Sequence, residues 1–366
     1  MHDTKLITAD PSIFRHAVKS AVPYRPLYVK LKLVWRCNLR CAMCRHWRED
    51  SAEALPTEAF LPVIDELAEL GCRKLHLSGG EPTLRRDLER LIARASEQGI
   101  RVSMTTNATA ITAKRADSLV AAGLRRANVS IDSSDPVIHD RLRGVEGSWA
   151  RTVAGFRELR SRLKKGRLRI NTVISADNYL SLKLLPLWAS VLGADELNLI
   201  PLDAHTDELV GLNRDQIHTF NIQIAPTLAA EGVRLGLLSH AGLAYPFGRE
   251  DSELKHSKTG DYARGFYERH RCYAPWAHCL IDHAGRVSTC CMTPGKPFLG
   301  DLRQQSFSEI WYGPAYRALR AHQALPLFPT CRQCDMFLEQ NRRLHDLVKS
   351  SPLQRWLSRW PRFRTG

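Results

Sequence analysis

Between residues 28 and 202 short β-branched runs alternate with longer amphipathic segments, and this alternation constrains the fold more than any other feature of the chain. Apolar periodicity predicts strands at residues 29–35, 74–78, 101–106, 127–131, 168–174 and 196–201. Five helices fall between them, clearest at 57–70 and 149–165. Each helical stretch is followed by a glycine: Gly71, Gly99, Gly123, Gly166 and Gly193. Glycine just past a helix can take the left-handed conformation that closes the last turn. Six strands joined by five helices imply a parallel sheet, and right-handed crossovers curl it into an open sheet or a partial barrel. In either case functional groups gather at the carboxyl ends of the strands.

The 366 residues exceed one small module, which leaves room for a second region after the βα unit. At 44% hydrophobic and 25% charged, the composition excludes a disordered, collagen-like or coiled-coil chain. Lys and Arg number 53 against 38 Asp and Glu, a formal charge of +15, which suits an acidic partner: a phosphorylated substrate, nucleic acid or an anionic membrane surface. The first residues lack the basic and apolar regions of a secretory signal, and no run of about eighteen apolar residues appears. A reducing cytoplasm is therefore the expected location, where thiols stay free to bind iron or zinc. Of the ten cysteines, seven fall into two spaced groups with Cys72 between them, a layout that suits metal sites better than disulfides.

The first group, Cys37-Asn-Leu-Arg-Cys41-Ala-Met-Cys44, follows directly after the first strand with spacing C-x3-C-x2-C. Three thiolates on one short loop can hold three irons of a 4Fe-4S cluster and leave the fourth iron open to an outside chelator. A structural zinc would need a fourth protein ligand, for which His46 is the neighbouring candidate. With this motif the chain resembles the radical S-adenosylmethionine superfamily. The second strand ends in Ser78-Gly79-Gly80-Glu81-Pro82, similar to the family's glycine and glutamate motif, in which backbone and carboxylate bind the methionyl amino group. The third ends in Thr105-Thr106-Asn107, with Ala108 in place of the family's glycine. The fourth ends in Ser130-Ile131-Asp132, followed by His139-Asp140-Arg141-Leu142-Arg143-Gly144.

The resemblance implies that Gly79, Gly80, Glu81, Thr106, Asn107 and Ser130 contact S-adenosyl-L-methionine, and that Arg141 or Arg143 pairs with its carboxylate. Met43 stands where an aromatic residue often stacks on the adenine, and a thioether still suits a ring face. The resemblance also implies a partial (β/α)6 TIM-like barrel and a cluster on Cys37, Cys41 and Cys44. That cluster would be reduced by a donor such as flavodoxin or ferredoxin, and the resulting 5′-deoxyadenosyl radical would abstract hydrogen from substrate.

In the second group, Cys272 and Cys290 bracket a stretch that predicts a hairpin turning at residues 282–285, and Cys331-Arg-Gln-Cys334 follows. Read alone, this arrangement fits a zinc ribbon or a second iron-sulfur cluster. The order Cys272, Gly285, Cys290, Gly300-Asp301-Leu302, Ser308-Glu309-Ile310-Trp311 and C-x2-C resembles the SPASM/twitch auxiliary domain. No cysteine follows Cys334, so the resemblance implies one auxiliary 4Fe-4S cluster in the shorter twitch form, held by Cys272, Cys290, Cys331 and Cys334. Cys291 is the alternative to Cys290. Cys279 is a candidate hydrogen-atom donor to a substrate radical, set against the packing role common for cysteine.

The expected organisation is an N-terminal helical extension (1–27), the radical SAM partial barrel (28–205), a connecting segment (206–265), the twitch/SPASM-like region (266–340) and a basic aromatic tail (341–366). Asp203, His205, Asp207 and Glu208 follow the sixth strand. Of these, Asp203 and His205 are candidates for orienting a hydroxyl or taking a proton. The tail holds seven Lys/Arg and one Asp interleaved with Trp356, Trp360 and Phe363, which suits weak membrane-surface contact or a terminal helix docked on the body. No nucleic-acid partner is expected, since no binding module is recognised. The expected function is redox modification, by dehydrogenation or epimerisation, of a hydroxylated small molecule such as a sugar or cyclitol. One alternative is maturation of a ribosomally made peptide, disfavoured by the 36 residues ahead of Cys37, few for an N-terminal peptide-binding domain. A more distant one is a non-catalytic iron-sulfur or zinc protein that binds a partner.

Overall fold

A computed structural model describes residues 5–44, 46–48, 53–202, 211–291, 296–335 and 337–349. Strands β1 (Tyr28–Lys32), β2 (Lys74–Ser78), β3 (Arg101–Thr106), β4 (Leu124–Ser130), β5 (Arg167–Ile174) and β6 (Glu196–Pro201) pair in parallel, each with the next. The crossovers carry α1 (Thr57–Glu69), α2 (Leu88–Glu97), α3 (Ala113–Ala121), α4 (Ser148–Arg162) and α5 (Leu185–Leu192). Gly71, Gly99, Gly123 and Gly193 close their helices with positive φ. Gly166 serves differently: a Cβ there would lie 2.7 Å from the Arg125 carbonyl oxygen, so the return from α4 to β5 requires its small size.

The sheet continues past β1. Strand β7 (His278–Ile281) pairs in parallel with β1, setting Tyr28 opposite His278 and Leu31 opposite Ile281. Strands β8 (Arg286–Ser288) and β9 (Gly300–Asp301) add on antiparallel, and the β7–β8 turn is the hairpin expected at 282–285. The order is β6-β5-β4-β3-β2-β1-β7-β8-β9, with β6 and β9 at the two ends, so the barrel is partial and open. A helix over Pro11–Lys19 packs Phe14, Ala17 and Val18 against Trp276 and Leu344, and Trp276 Nε1 donates to the Ala17 carbonyl at 3.1 Å. Within the polar stretch 248–260 a short helix forms at Asp251–Ser257, capped by Glu250 and Glu253. No described helix is long and apolar enough to cross a membrane.

Alternation along the strands separates two chemically different faces. Val29 and Leu31 on β1, and Leu33 just past it, are buried in the apolar core, while Tyr28, Lys30 and Lys32 take the opposite face. Across the sheet that face carries Lys74 and His76, Ser103 and Thr105, Arg126 and Asn128, Arg169 and Asn171, Glu196 and Asn198. A parallel sheet covered on both sides is ordinarily apolar on both, so this polar face marks the side that holds a site.

Glu196 joins three strands at the base of this face. It accepts from Arg126, from Arg169 at 2.9 and 2.5 Å and from Arg167 at 3.1 Å. Burial raises its carboxyl, but Arg169 and Arg126 outweigh burial and hold it at about 2, against an ordinary 4.5. A depressed carboxyl contributes stability that is present above its unfolded pKa and lost as pH falls through the folded value. Glu196→Gln is therefore expected to cost about 2–3 kcal/mol near neutral pH, after allowing for partial solvent screening, and little near pH 2. Urea melts of both proteins at the two pH values test this; an equal loss at both would rule it out.

Candidate active site

The loop bearing Cys37, Cys41 and Cys44 leaves β1 and is held from below by backbone. Gly80 N donates to the Val34 carbonyl at 2.8 Å and Glu81 N to the Arg36 carbonyl at 2.9 Å. A Cβ on Gly79 would stand 2.4 Å from the Val34 oxygen, and one on Gly80 2.2 Å from the Trp35 and Arg36 oxygens. The paired glycines thus let the end of β2 touch the stem of the cysteine loop, which fixes where the loop begins. From the other side, Arg40 N and Ala42 N donate to the Arg143 and Leu142 carbonyls at 3.1 and 3.0 Å. Gly144 permits that approach, since a Cβ there would meet the Arg40 oxygen at 2.2 Å.

Side chains from three strand ends complete the surroundings. Glu81, buried, accepts from Thr83 N at 3.0 Å, Thr83 Oγ1 at 2.6 Å, Thr106 Oγ1 at 2.7 Å and Asn107 N at 2.7 Å. The resemblance assigns this carboxylate to the methionyl ammonium, and these four bonds also join the ends of β2 and β3. Asn107 Nδ2 donates to Asn38 Oδ1 at 2.9 Å and lies 3.9 Å from Cys37 Sγ. Ala108 has φ 59, the left-handed conformation for which glycine is better suited. Arg143, buried, pairs with Asp132 at 2.7 Å and reaches Cys41 Sγ at 3.8 Å. Its guanidinium is thus engaged beside the thiols, whereas exposed Arg141 meets Asp177 at 3.5 Å. Met43 packs on the small cluster of Leu142 and Leu202. Ser130 lies on the polar face, and its hydroxyl has no hydrogen-bond partner among the described residues.

Near Cys44, His46 Nδ1 is 3.3 Å from the thiol sulfur and Nε2 is 3.5 Å from Lys32 Nζ. Burial first, then the Lys32 charge, lowers the imidazole to about 3, so it is neutral at any ordinary pH. Burial pushes the Cys37 thiol up to about 11 and raises Cys41 despite the nearby Arg143. Thiols so placed gain from exchanging their protons for a cationic centre.

The second group comes together in one nest, and Cys291, the alternative to Cys290, packs against it as well. Cys290, Cys331 and Cys334 are buried together with Tyr28, Tyr267 and Phe337, and Cys272 packs against them. Burial and the neighbouring thiols raise Cys272 to about 12. Three donors aim at this nest: Lys296 Nζ to Cys290 at 2.9 Å, Asn341 Nδ2 to Cys272 at 3.7 Å and Tyr267 Oη to Cys334 at 3.8 Å. Asn341 also donates to Tyr267 Oη at 2.9 Å, which orients it. Among the described residues no three His, Cys, Asp or Glu side chains converge tightly enough for a single ion. The all-thiol donor sets, three cysteines at the first nest and four at the second, fit the cysteine ligation of 4Fe-4S clusters.

Cys279 is not brought to either nest. It lies fully buried in the main core opposite Val29, and burial raises its thiol well above the ordinary range, with Cys72 adding to the effect. Asp203, His205, Asp207 and Glu208 lie outside the described residues, as does the tail from residue 350. Sequence reasoning overlooked the Asp132–Arg143 pair, although both stood in the quoted motifs, and Lys296, which no local pattern marks.

Comparison with known proteins agrees with this geometry. The family model described as Radical SAM superfamily matches residues 33–175, and the SPASM model, described as an iron-sulfur cluster-binding domain, matches residues 272–335. An AdoMet-dependent heme synthase of Methanosarcina barkeri is 30% identical over 324 residues, covering 83% of this chain and 88% of the relative. A PqqA peptide cyclase of Ruegeria pomeroyi is 30% identical over 336 residues, covering 89% and 83%. Streptococcus suis SuiB bound to S-adenosylmethionine shares the fold at TM-score 0.64 and 17% identity, over 87% of this chain and 74% of that one. Two thiol nests at the expected strand ends and loops, and 30% identity along most of both chains, agree on one conclusion: the chain belongs to the radical SAM superfamily and carries a SPASM iron-sulfur domain.

Proposed function

We propose that this radical SAM enzyme modifies a peptide, forming or breaking bonds at a carbon from which hydrogen has been removed. The observation that carries this reading is the similarity to PqqA peptide cyclases, which extends over both the barrel and the SPASM domain. It favours the peptide alternative over the sugar or cyclitol expected from sequence. The polar face supports it, because Asn198 Nδ2 donates to Asn171 Oδ1 at 3.2 Å and leaves Asn171 Nδ2 and Asn198 Oδ1 for an extended peptide backbone. Equal identity to a heme synthase supports a second reading, a step of heme synthesis.

In the proposed assignment Cys37, Cys41 and Cys44 hold the first cluster, and Cys272, Cys290, Cys331 and Cys334 hold the second. With adenosylmethionine bound, the first cluster supplies one-electron cleavage of the sulfonium and hence the carbon radical that takes hydrogen from substrate. Gly79 and Gly80 fix the cysteine loop, Glu81 and Asn107 lock its flank, and Arg143 steadies Cys41. Ser130 is free to meet the cofactor. A donor of the flavodoxin or ferredoxin class supplies the electron.

The test incubates anaerobically reconstituted enzyme with adenosylmethionine, dithionite and synthetic peptides encoded beside its gene, followed by mass spectrometry. A peptide lighter by two hydrogens, formed together with 5′-deoxyadenosine, is the expected result. Turnover of a porphyrin with every peptide unchanged would replace this reading with the second.

A further inference from the structure

The two thiol nests differ in the charge set against them. At the first, Arg143 approaches Cys41, but Asp132 pairs with the same guanidinium, and the Glu81 carboxylate acts on Cys37 to raise its thiol. That guanidinium is balanced, and a second cation, Lys32, stands behind His46 near Cys44. At the second, Lys296 Nζ makes a 2.9 Å hydrogen bond to Cys290 Sγ, and no carboxylate pairs with this ammonium among the described residues. Its charge also acts on Cys331 and Cys272, and the Phe328 ring covers it at 5.2 Å. Asp335 bears on Cys334, to which Tyr267 supplies a neutral donor, as Asn341 does to Cys272.

We propose that Lys296 is a positioning residue for the auxiliary cluster, which raises that cluster's reduction potential by donating to the Cys290 sulfur. This rests on Cys272, Cys290, Cys331 and Cys334 being the ligands. One-electron reduction adds one negative charge to an already anionic cluster, and no proton need move. An ammonium in contact with a ligand sulfur, away from bulk water, stabilises the reduced form more than the oxidised one. Donors to ligand sulfur are among the features that set such potentials. A cluster whose potential is raised in this way is suited to accept an electron from the substrate side.

The test isolates the second cluster. A full-length chain with Cys37, Cys41 and Cys44 all changed to Ala is reconstituted, its iron counted, and its midpoint potential measured by EPR-monitored titration. Iron near zero would refute the ligand assignment itself, separately from the role of Lys296. With the cluster present, adding Lys296→Met is expected to shift the reduced-to-oxidised ratio at fixed poise by about ten-fold toward oxidised, which for one electron is a midpoint lower by about 59 mV. Lys296→Arg, which keeps a cationic donor, is expected to restore most of the shift. If Lys296→Met loses iron, Lys296→Gln takes its place, with the same direction of shift required. A midpoint unchanged in either iron-bearing neutral variant overturns the proposal.

Discussion

A Cys44→Ala variant is expected to form no 5′-deoxyadenosine above background, while holding about four irons where the wild type holds about eight. Cys44 is the informative choice among the three because its thiol is half-exposed and makes no contact that supports the core, its near neighbour being His46 at 3.3 Å. Loss of activity will therefore report on chemistry and not on unfolding. The size of the effect follows from what the loop provides. Even an outer hydrogen-bond partner of a metal ligand contributes about 10- to 100-fold in affinity or activity, and removing the ligand itself must exceed that. Retention of about four irons distinguishes the two nests, because Cys272, Cys290, Cys331 and Cys334 lie in a separate cluster beneath β7 and the C-terminal helix Leu338–Lys349. Iron count and nucleoside release, measured on one preparation, decide it. Undiminished 5′-deoxyadenosine formation would remove the first nest from the mechanism.

The strands and crossovers of the barrel were legible because each is decided locally: β-branched alternation makes the strand, an amphipathic stripe makes the helix, and glycine ends it. The same locality explains the C-x3-C-x2-C loop and the hairpin at 282–285. The pairing of β7 with β1 was not legible. It joins residues about 250 apart in the chain, such as Tyr28 and His278, whose rings stack at 4.9 Å, and no short-range pattern announces such a partner. Cys279 was misjudged for the same reason. Once β7 enters the sheet, alternation turns Cys279 toward the helices with Val29, while His278 turns toward the polar face with Tyr28. Glu81 shows a different limit. Its place in a motif gives it a ligand role by resemblance, while its four donors, from Thr83, Thr106 and Asn107, converge only because β2 and β3 lie side by side. Lys296 stands in an irregular stretch ahead of β9, where sequence carries no periodicity to read.

Replacing Glu81 by alanine is expected to cost the fold about 3–5 kcal/mol and to empty the first nest of iron. The carboxylate accepts two backbone N–H groups, those of Thr83 and Asn107, and two threonine hydroxyls. The hydroxyls can rotate toward other acceptors, but the N–H groups are fixed by the strand ends and would be left buried without partners, at about 1–3 kcal/mol each. Glu81→Gln should be milder. Burial pushes this carboxyl above the ordinary carboxylate range even though its donors oppose that, so an uncharged amide escapes the desolvation the carboxylate bears. The amide nitrogen would still face one donor, most simply Asn107 N, and that mismatch leaves a loss of about 1–2 kcal/mol. The consequence for iron follows from what the staple holds. Asn107 reaches Asn38 and Cys37, and Glu81 N binds the Arg36 carbonyl, so freeing the end of β2 from β3 loosens the loop at both sides of its first cysteine. Urea melts rank the stability loss as alanine above glutamine above wild type, and iron counts after reconstitution follow the same rank. A Glu81→Ala protein with wild-type stability that fails to bind adenosylmethionine would return the carboxylate to a purely ligand-binding role.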